Sequence, residues 1–160
     1  MAKLISEDEE IKSSFSLIFL EEKLEVKKLI SWIQYKIVFQ SGEKELVYEK
    51  LDNCGTGDYV LALTPINELE NLISGINDFL SEKSKKMYSF EPVEPSFELI
   101  IERGHEGFSV VFWMDSGNVD STHYAWDGFG LRFYTNEQNI LNFLKELKKE
   151  KDELCQKEKI

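Results

Sequence analysis

Two histidines, His105 and His123, and two cysteines, Cys54 and Cys155, are the residues of this 160-residue chain best suited to nucleophilic, acid–base or metal chemistry. His123 has the richest surroundings. Asp120, Ser121, Thr122 and Tyr124 are its neighbours in a segment reading D-S-G-N-V-D-S-T-H-Y-A-W-D from Asp115 to Asp127. A hydrolytic triad needs its nucleophile on a strained turn and its base oriented by a third group; G-x-S-x-G is absent, and nearness in sequence does not make a triad. D-S-G-N-V-D has half the form of a calcium loop, but its glycine falls in third place and the twelfth-position glutamate is missing. His105, in G-H-E-G, has no second good ligand beside it. The cysteines form no C-x-x-C pair or disulfide framework. Gly55 and Gly57 lack the third glycine or following lysine of a phosphate loop. Acid–base pairs could be drawn from Glu106, Asp115, Asp120 and Asp127, but carboxylates are common throughout the chain. No catalytic, metal-binding or cofactor-binding residue is therefore assigned, and the protein is expected not to be an enzyme.

A different chemistry is better supported. Trp113, Tyr124 and Trp126 stand beside Asp115, Asp120 and Asp127, and large aromatics with carboxylates suit an interface that selects a basic partner. The same rings could instead fill the edge of a sheet. Charge distribution favours the interface. Acids number 30 against 19 bases, a formal charge of −11. From Met87 to Leu144 there are nine acids, two arginines and no lysine, so this window holds seven of the eleven net negative charges. Such a balance disfavours nucleic acid, whose phosphates need clustered Lys and Arg, and an anionic membrane surface. It would steer in a cationic protein.

Elements must hold these residues in place. Phe108, Val110, Phe112 and Met114 alternate with Ser109, Val111, Trp113 and Asp115, the pattern of a half-buried strand. Residues 96–103 precede it with Phe97, Leu99 and Ile101 on one face, and Gly104-His105-Glu106-Gly107 is a tight connection, so the two form a hairpin. A strand resumes at 128–134. Upstream, 15–20 and 32–40 alternate similarly, Ser41-Gly42-Glu43 is a turn, and 44–51 returns with Leu46 and Tyr48 inward. A short strand at 59–63 leads to Thr64-Pro65, a helix opening. Ile66, Leu69, Leu72, Ile73, Ile76 and Leu80 then recur at helical spacing, with basic residues near 81–86 to suit the C-terminal dipole. A second helix starts near Asn136, where Thr135 and Gln138 have the form of a capping box.

The fold class expected is α+β: a mainly antiparallel sheet of about six to seven strands with two helices packed on one face. Residues 1–14 are expected to be a loose lead-in, 15–150 a single domain, and 151–160 a charged helical extension or frayed tail. An acidic start rather than a basic n-region argues against a signal peptide, and no apolar run is long enough to span a membrane. A cytoplasmic protein with reduced thiols is expected.

Together, W-x-x-Y-K-I-V-F (Trp32 to Phe39), L-T-P-I-N-E-L-E-N-L (ending at Leu72) and F-E-P-V-E-P-S-F-E-L-I-I, with a following apolar strand and closing helix, resemble small bacterial immunity proteins of the WapI type. The resemblance covers residues 15–147; its motifs are structural, and the loop from Asp115 to Gly128 departs from it. It implies a cytosolic antidote that binds the toxin domain of a polymorphic toxin, often a nuclease. On that reading Glu106, Asp115, Asp120 and Asp127 are charge contacts with the toxin, and Tyr124 and Trp126 are anchors. The alternative is an accessory module that stacks a small molecule or sugar on Trp113, Tyr124 and Trp126.

Overall fold

Strands form where apolar residues alternate, and each is bounded by turn-forming or charged residues. The computed structural model describes residues 1–8, 10–26, 30–48, 62–63, 68–92, 97–115 and 128–156. β1 (Ala2–Ile5), β2 (Ser13–Val26), β3 (Ile30–Ser41) and β4 (Lys44–Tyr48) make one antiparallel sheet in that order, with the short β5 (Ala62–Leu63) also paired to β3. The second sheet is an antiparallel meander of β6 (Met87–Phe90), β7 (Phe97–Arg103), β8 (Phe108–Asp115) and β9 (Gly128–Thr135). α1 (Glu70–Ser81) joins the sheets in sequence, and α2 (Glu137–Gln156) follows β9. Gly42 turns β3 into β4 with a φ of 59°, a left-handed conformation that glycine adopts without steric cost.

The expected single sheet is corrected to two, and the reason lies in which faces are apolar. Phe15, Leu17, Tyr35, Ile37 and Phe39 line one face of the first sheet; Phe97, Leu99, Phe108, Val110, Phe112 and Met114 line one face of the second, and all are buried. These two faces meet. Phe15 lies 4.6 Å and Phe39 5.1 Å from Phe112 between ring centroids, and Tyr35 meets Phe97 edge-on at 5.8 Å. Phe112 stacks on Phe97 at 4.9 Å and 15°. Each ring thereby buries its area against another in a favoured tilted or offset geometry. Within one continuous sheet, both sets would have depended on two helices for cover.

The helices complete this core. α2 contacts β1, α1 contacts β6, and the helices touch each other. Leu72, Ile73, Ile76 and Phe79 of α1 and Ile140, Phe143, Leu144 and Leu147 of α2 enter the same apolar cluster as both sheets. β1 and β6 are the edge strands of their sheets, so the helices also shield two edges that could otherwise pair with other chains. A salt bridge between Lys151 and Glu70 ties α2 to α1.

The helix ends differ from expectation. Asn136 caps α2, its Oδ1 accepting from the Asn139 amide at 2.9 Å. The Thr135 hydroxyl instead donates to the Ile5 carbonyl at 2.6 Å. The opening expected at Thr64-Pro65 lies outside the described residues. No basic residue occupies the last turn of α1. Its cation comes from β7: Arg103 Nη2 donates to the Phe79 carbonyl at 3.0 Å, and the guanidinium lies 5.0 Å from both the Phe79 and Phe108 rings.

Residues 1–14, expected as a loose lead-in, contain an ordered strand. Ala2 and Leu4 are fully buried, and β1 is fastened to the other end of the chain. The Lys3 amide donates to Glu146 at 2.7 Å, the Glu7 amide donates to the Tyr134 carbonyl at 2.9 Å, and the Met1 ammonium pairs with Glu150. At the other end, the helix continues through the charged segment as far as Gln156.

Candidate functional site

The meander of β6 to β9 has two faces, and only one is spent on the core. Phe97, Leu99 and Ile101 point inward, so Glu98, Ile100 and Glu102 take the opposite face of β7, and Ser109, Val111 and Trp113 do so on β8. Pairing aligns these residues into rows across the sheet. Glu98 is opposite Trp113, which is opposite Gly130; Ser89, Ile100, Val111 and Arg132 form the next row; Met87, Glu102, Ser109 and Tyr134 form the third. On this outer face Val111 is buried. Trp113 is 45% exposed, Met87 56% and Tyr134 70%. Large apolar side chains left in water cost free energy.

Trp113 is the best-defined feature. Its indole lies over the backbone of Gly130: a β-carbon built there would fall 2.5 Å from Cε3 and 2.6 Å from Cζ3 of the ring. Glycine is thus the seat of the ring, which presents its other face outward. Across the strand pair, the Glu98 carboxylate accepts from the Ser89 hydroxyl at 2.8 Å. Arg132 lies in the adjacent row, on the same face.

A cleft of about 350 Å³ opens at the far end of the third row, lined by Glu7, Gly104, His105, Glu106, Phe108, Tyr134 and other hairpin atoms. It brings Glu106 together with Glu7 and Tyr134. The Gly104 amide donates to the Gly107 carbonyl at 2.8 Å, closing the turn that carries Glu106. A larger concavity of about 860 Å³ lies beside the β1–β2 turn, with Lys3 and Lys12 against Glu7 and Asp8. Its charges do not converge on a ligand. Lys3 Nζ donates to Gln40 Oε1 at 3.3 Å, and Asp8 Oδ1 accepts the Glu10 and Ile11 amides at 2.8 and 3.0 Å. Those two backbone donors hold the Asp8 carboxyl below its ordinary range, Ile11 most of all.

The expected contact residues divide. Glu106 is exposed on the β7–β8 turn, and Asp115 ends β8. Asp120, Tyr124, Trp126 and Asp127 lie outside the described residues, as do His123 and Cys54. Glu106 and Asp115 stand at opposite ends of β8, whose seven residue steps span about 23 Å of extended chain. Glu98 and Tyr134 share the aromatic face and were missed. Glu98 was legible: once the turn at Gly104–Gly107 pairs Arg103 with Phe108, counting back along both strands puts Glu98 opposite Trp113. Tyr134 was not, since the β8–β9 register depends on a long connection. Among the described residues, no three His, Cys, Asp or Glu side chains are grouped to hold a metal ion, and no helix is long and apolar enough to cross a membrane. No family of known proteins, no curated protein and no solved structure matches the chain.

Proposed function

We propose that this protein is a cytoplasmic antidote: a non-catalytic binding protein that covers the basic active surface of a bacterial toxin domain with the outer face of the β6–β9 sheet. The observation that carries the reading is the exposed row structure of that face. Trp113, Met87 and Tyr134 offer anchors, Glu98 and Glu102 stand in register with them, and the chain carries a net −11. Aromatic anchors at a fixed position supply binding energy. The surrounding negative field selects a cationic partner and speeds its approach. The toxin as partner rests on the resemblance to WapI-type immunity proteins. A nuclease would suit it, because a surface built to hold nucleic acid is itself basic. A sugar-binding module is the second reading, favoured by the outward indole of Trp113; the carboxylates in the same rows favour the cationic protein.

The reading predicts a toxin domain encoded beside this gene, and the test uses that domain. The purified chain should abolish that domain's activity at one-to-one stoichiometry and bind it in the nanomolar range or tighter, with an association rate that falls as salt rises. Trp113→Ala with Tyr134→Ala should weaken binding by about a hundred-fold while leaving the fold intact. Unimpaired toxin activity in the presence of excess chain would refute the antidote.

A further inference from the structure

The geometry points to a site for an arginine side chain on the Trp113–Glu98 row, in which the guanidinium lies flat on the indole and pairs with the carboxylate. This inference rests on the reading of a basic protein partner and names the group that partner must present. Three observations carry it. First, the indole is held by its seat. A β-carbon at Gly130 would come within 2.6 Å of Cζ3, so only the missing side chain lets the ring settle against the backbone with one face outward. Ordering a ring before binding lowers the entropic cost of using it. Second, Glu98 is the cross-strand partner of Trp113, which places the two β-carbons about 5 Å apart on one face of the sheet. One oxygen of Glu98 is engaged by Ser89 at 2.8 Å, so the carboxylate is oriented. Third, the ring is 45% exposed. Arg132, the cation on the same face, makes no cation–π contact among the described residues; the only such contacts are those of Arg103 with Phe79 and Phe108.

A planar, weakly hydrated guanidinium fits this pair better than a lysine ammonium. It can stack on the indole while its edge donates to a carboxylate, and it keeps its charge at any working pH. A neutral sugar would gain the stacking but would leave the Glu98 charge uncompensated.

The test titrates the full chain with a capped peptide carrying three arginines, then with the same peptide carrying citrulline, which keeps the shape and loses the charge. The indole N–H signal of Trp113, assigned by its loss in Trp113→Leu, is followed by nuclear magnetic resonance. The arginine peptide should shift that signal and leave the Trp32 signal in place. Citrulline in place of arginine should weaken binding by about ten-fold or more. Glu98→Gln should weaken arginine binding about five-fold, Gly130→Ala should do so by unseating the ring, and Trp113→Tyr should retain part of it. Thermal melts identify any variant that has lost its fold, and Glu98→Gln keeps the Ser89 contact as the mildest of them. Equal binding of the citrulline peptide, an unmoved Trp113 signal, or a shift produced by maltotriose would overturn the assignment. The antidote reading fails separately: a toxin domain that stays active in excess chain sinks that reading while the peptide result stands. Neutralisation untouched by Trp113→Leu and Glu98→Gln sinks the arginine site alone.

Discussion

Arg103 offers the sharpest test of how the two halves of the core are held. Its Nη2 donates to the Phe79 carbonyl at 3.0 Å, a group near the C-terminus of α1, and its guanidinium lies 5.0 Å from two ring centroids. Replacement by methionine removes the charge and the donor but keeps an unbranched apolar chain between the rings. A hydrogen bond from a charged donor contributes about 1.5–3 kcal/mol, and each cation–π contact at a partly exposed site about 0.5–1 kcal/mol. A thioether against aromatic rings returns about 0.5–1 kcal/mol. Arg103 is only partly buried, which places the hydrogen-bond share at the low end, and the net loss should be about 2 kcal/mol. For a chain of this size that is a fall in melting temperature of about 4–8 °C. Urea unfolding should show a lower midpoint with an unchanged slope. Arg103→Lys, which keeps charge but loses the planar fork, should fall between the two. A methionine variant within about 0.5 kcal/mol of wild type would refute the claim that this side chain closes α1.

Two further perturbations concern the joint between α1 and β6. Gly75→Ala should destabilise by about 1 kcal/mol although alanine is the better helix former, because its β-carbon would sit 2.7 Å from the Tyr88 hydroxyl oxygen and 2.8 Å from Cζ. The sign should reverse in a Tyr88→Leu background, and a double-mutant cycle by urea unfolding would show it. Burial pushes the Tyr88 phenol above its ordinary range, which disfavours the charged form. The stability this provides is complete below the unfolded value of about 10 and is lost as pH rises through the higher folded value, since the unfolded chain releases the proton first. Tyr88→Phe should therefore lose less stability between pH 9 and 11 than wild type; parallel urea midpoints would exclude the mechanism.

The hairpins were legible because period-two alternation and short turns are local signals. Phe108 to Met114 announces its inner face, and Gly104–Gly107 fixes the β7–β8 register. Which hairpin lies beside which is not a local property, and the split into two sheets follows from rings such as Phe15, Phe39 and Phe112 meeting across the core. β1 escaped notice because Ala2 and Leu4 give only two inward positions before an acidic run. β6 escaped because Tyr88 and Phe90 were overshadowed by the prolines after them. The chemistry of the site was half legible: Trp113 was placed on the outward face from alternation alone. Its glycine seat depends on the β8–β9 pairing, which crosses a twelve-residue connection whose length fixes no register.

The fastening of β1 to β9 and α2 also governs the order in which the chain can fold. The contacts of Lys3 with Glu146 and of Thr135 with Ile5 span 143 and 130 residues, so β1, although it pairs locally with β2, gains its cover from β9 and α2 only when nearly all of the described chain has emerged. Closing so long a loop is slow. During synthesis the β1–β3 strands therefore wait with their apolar face uncovered, a stage at which cellular chaperones, rather than native contacts, must keep nascent chains apart.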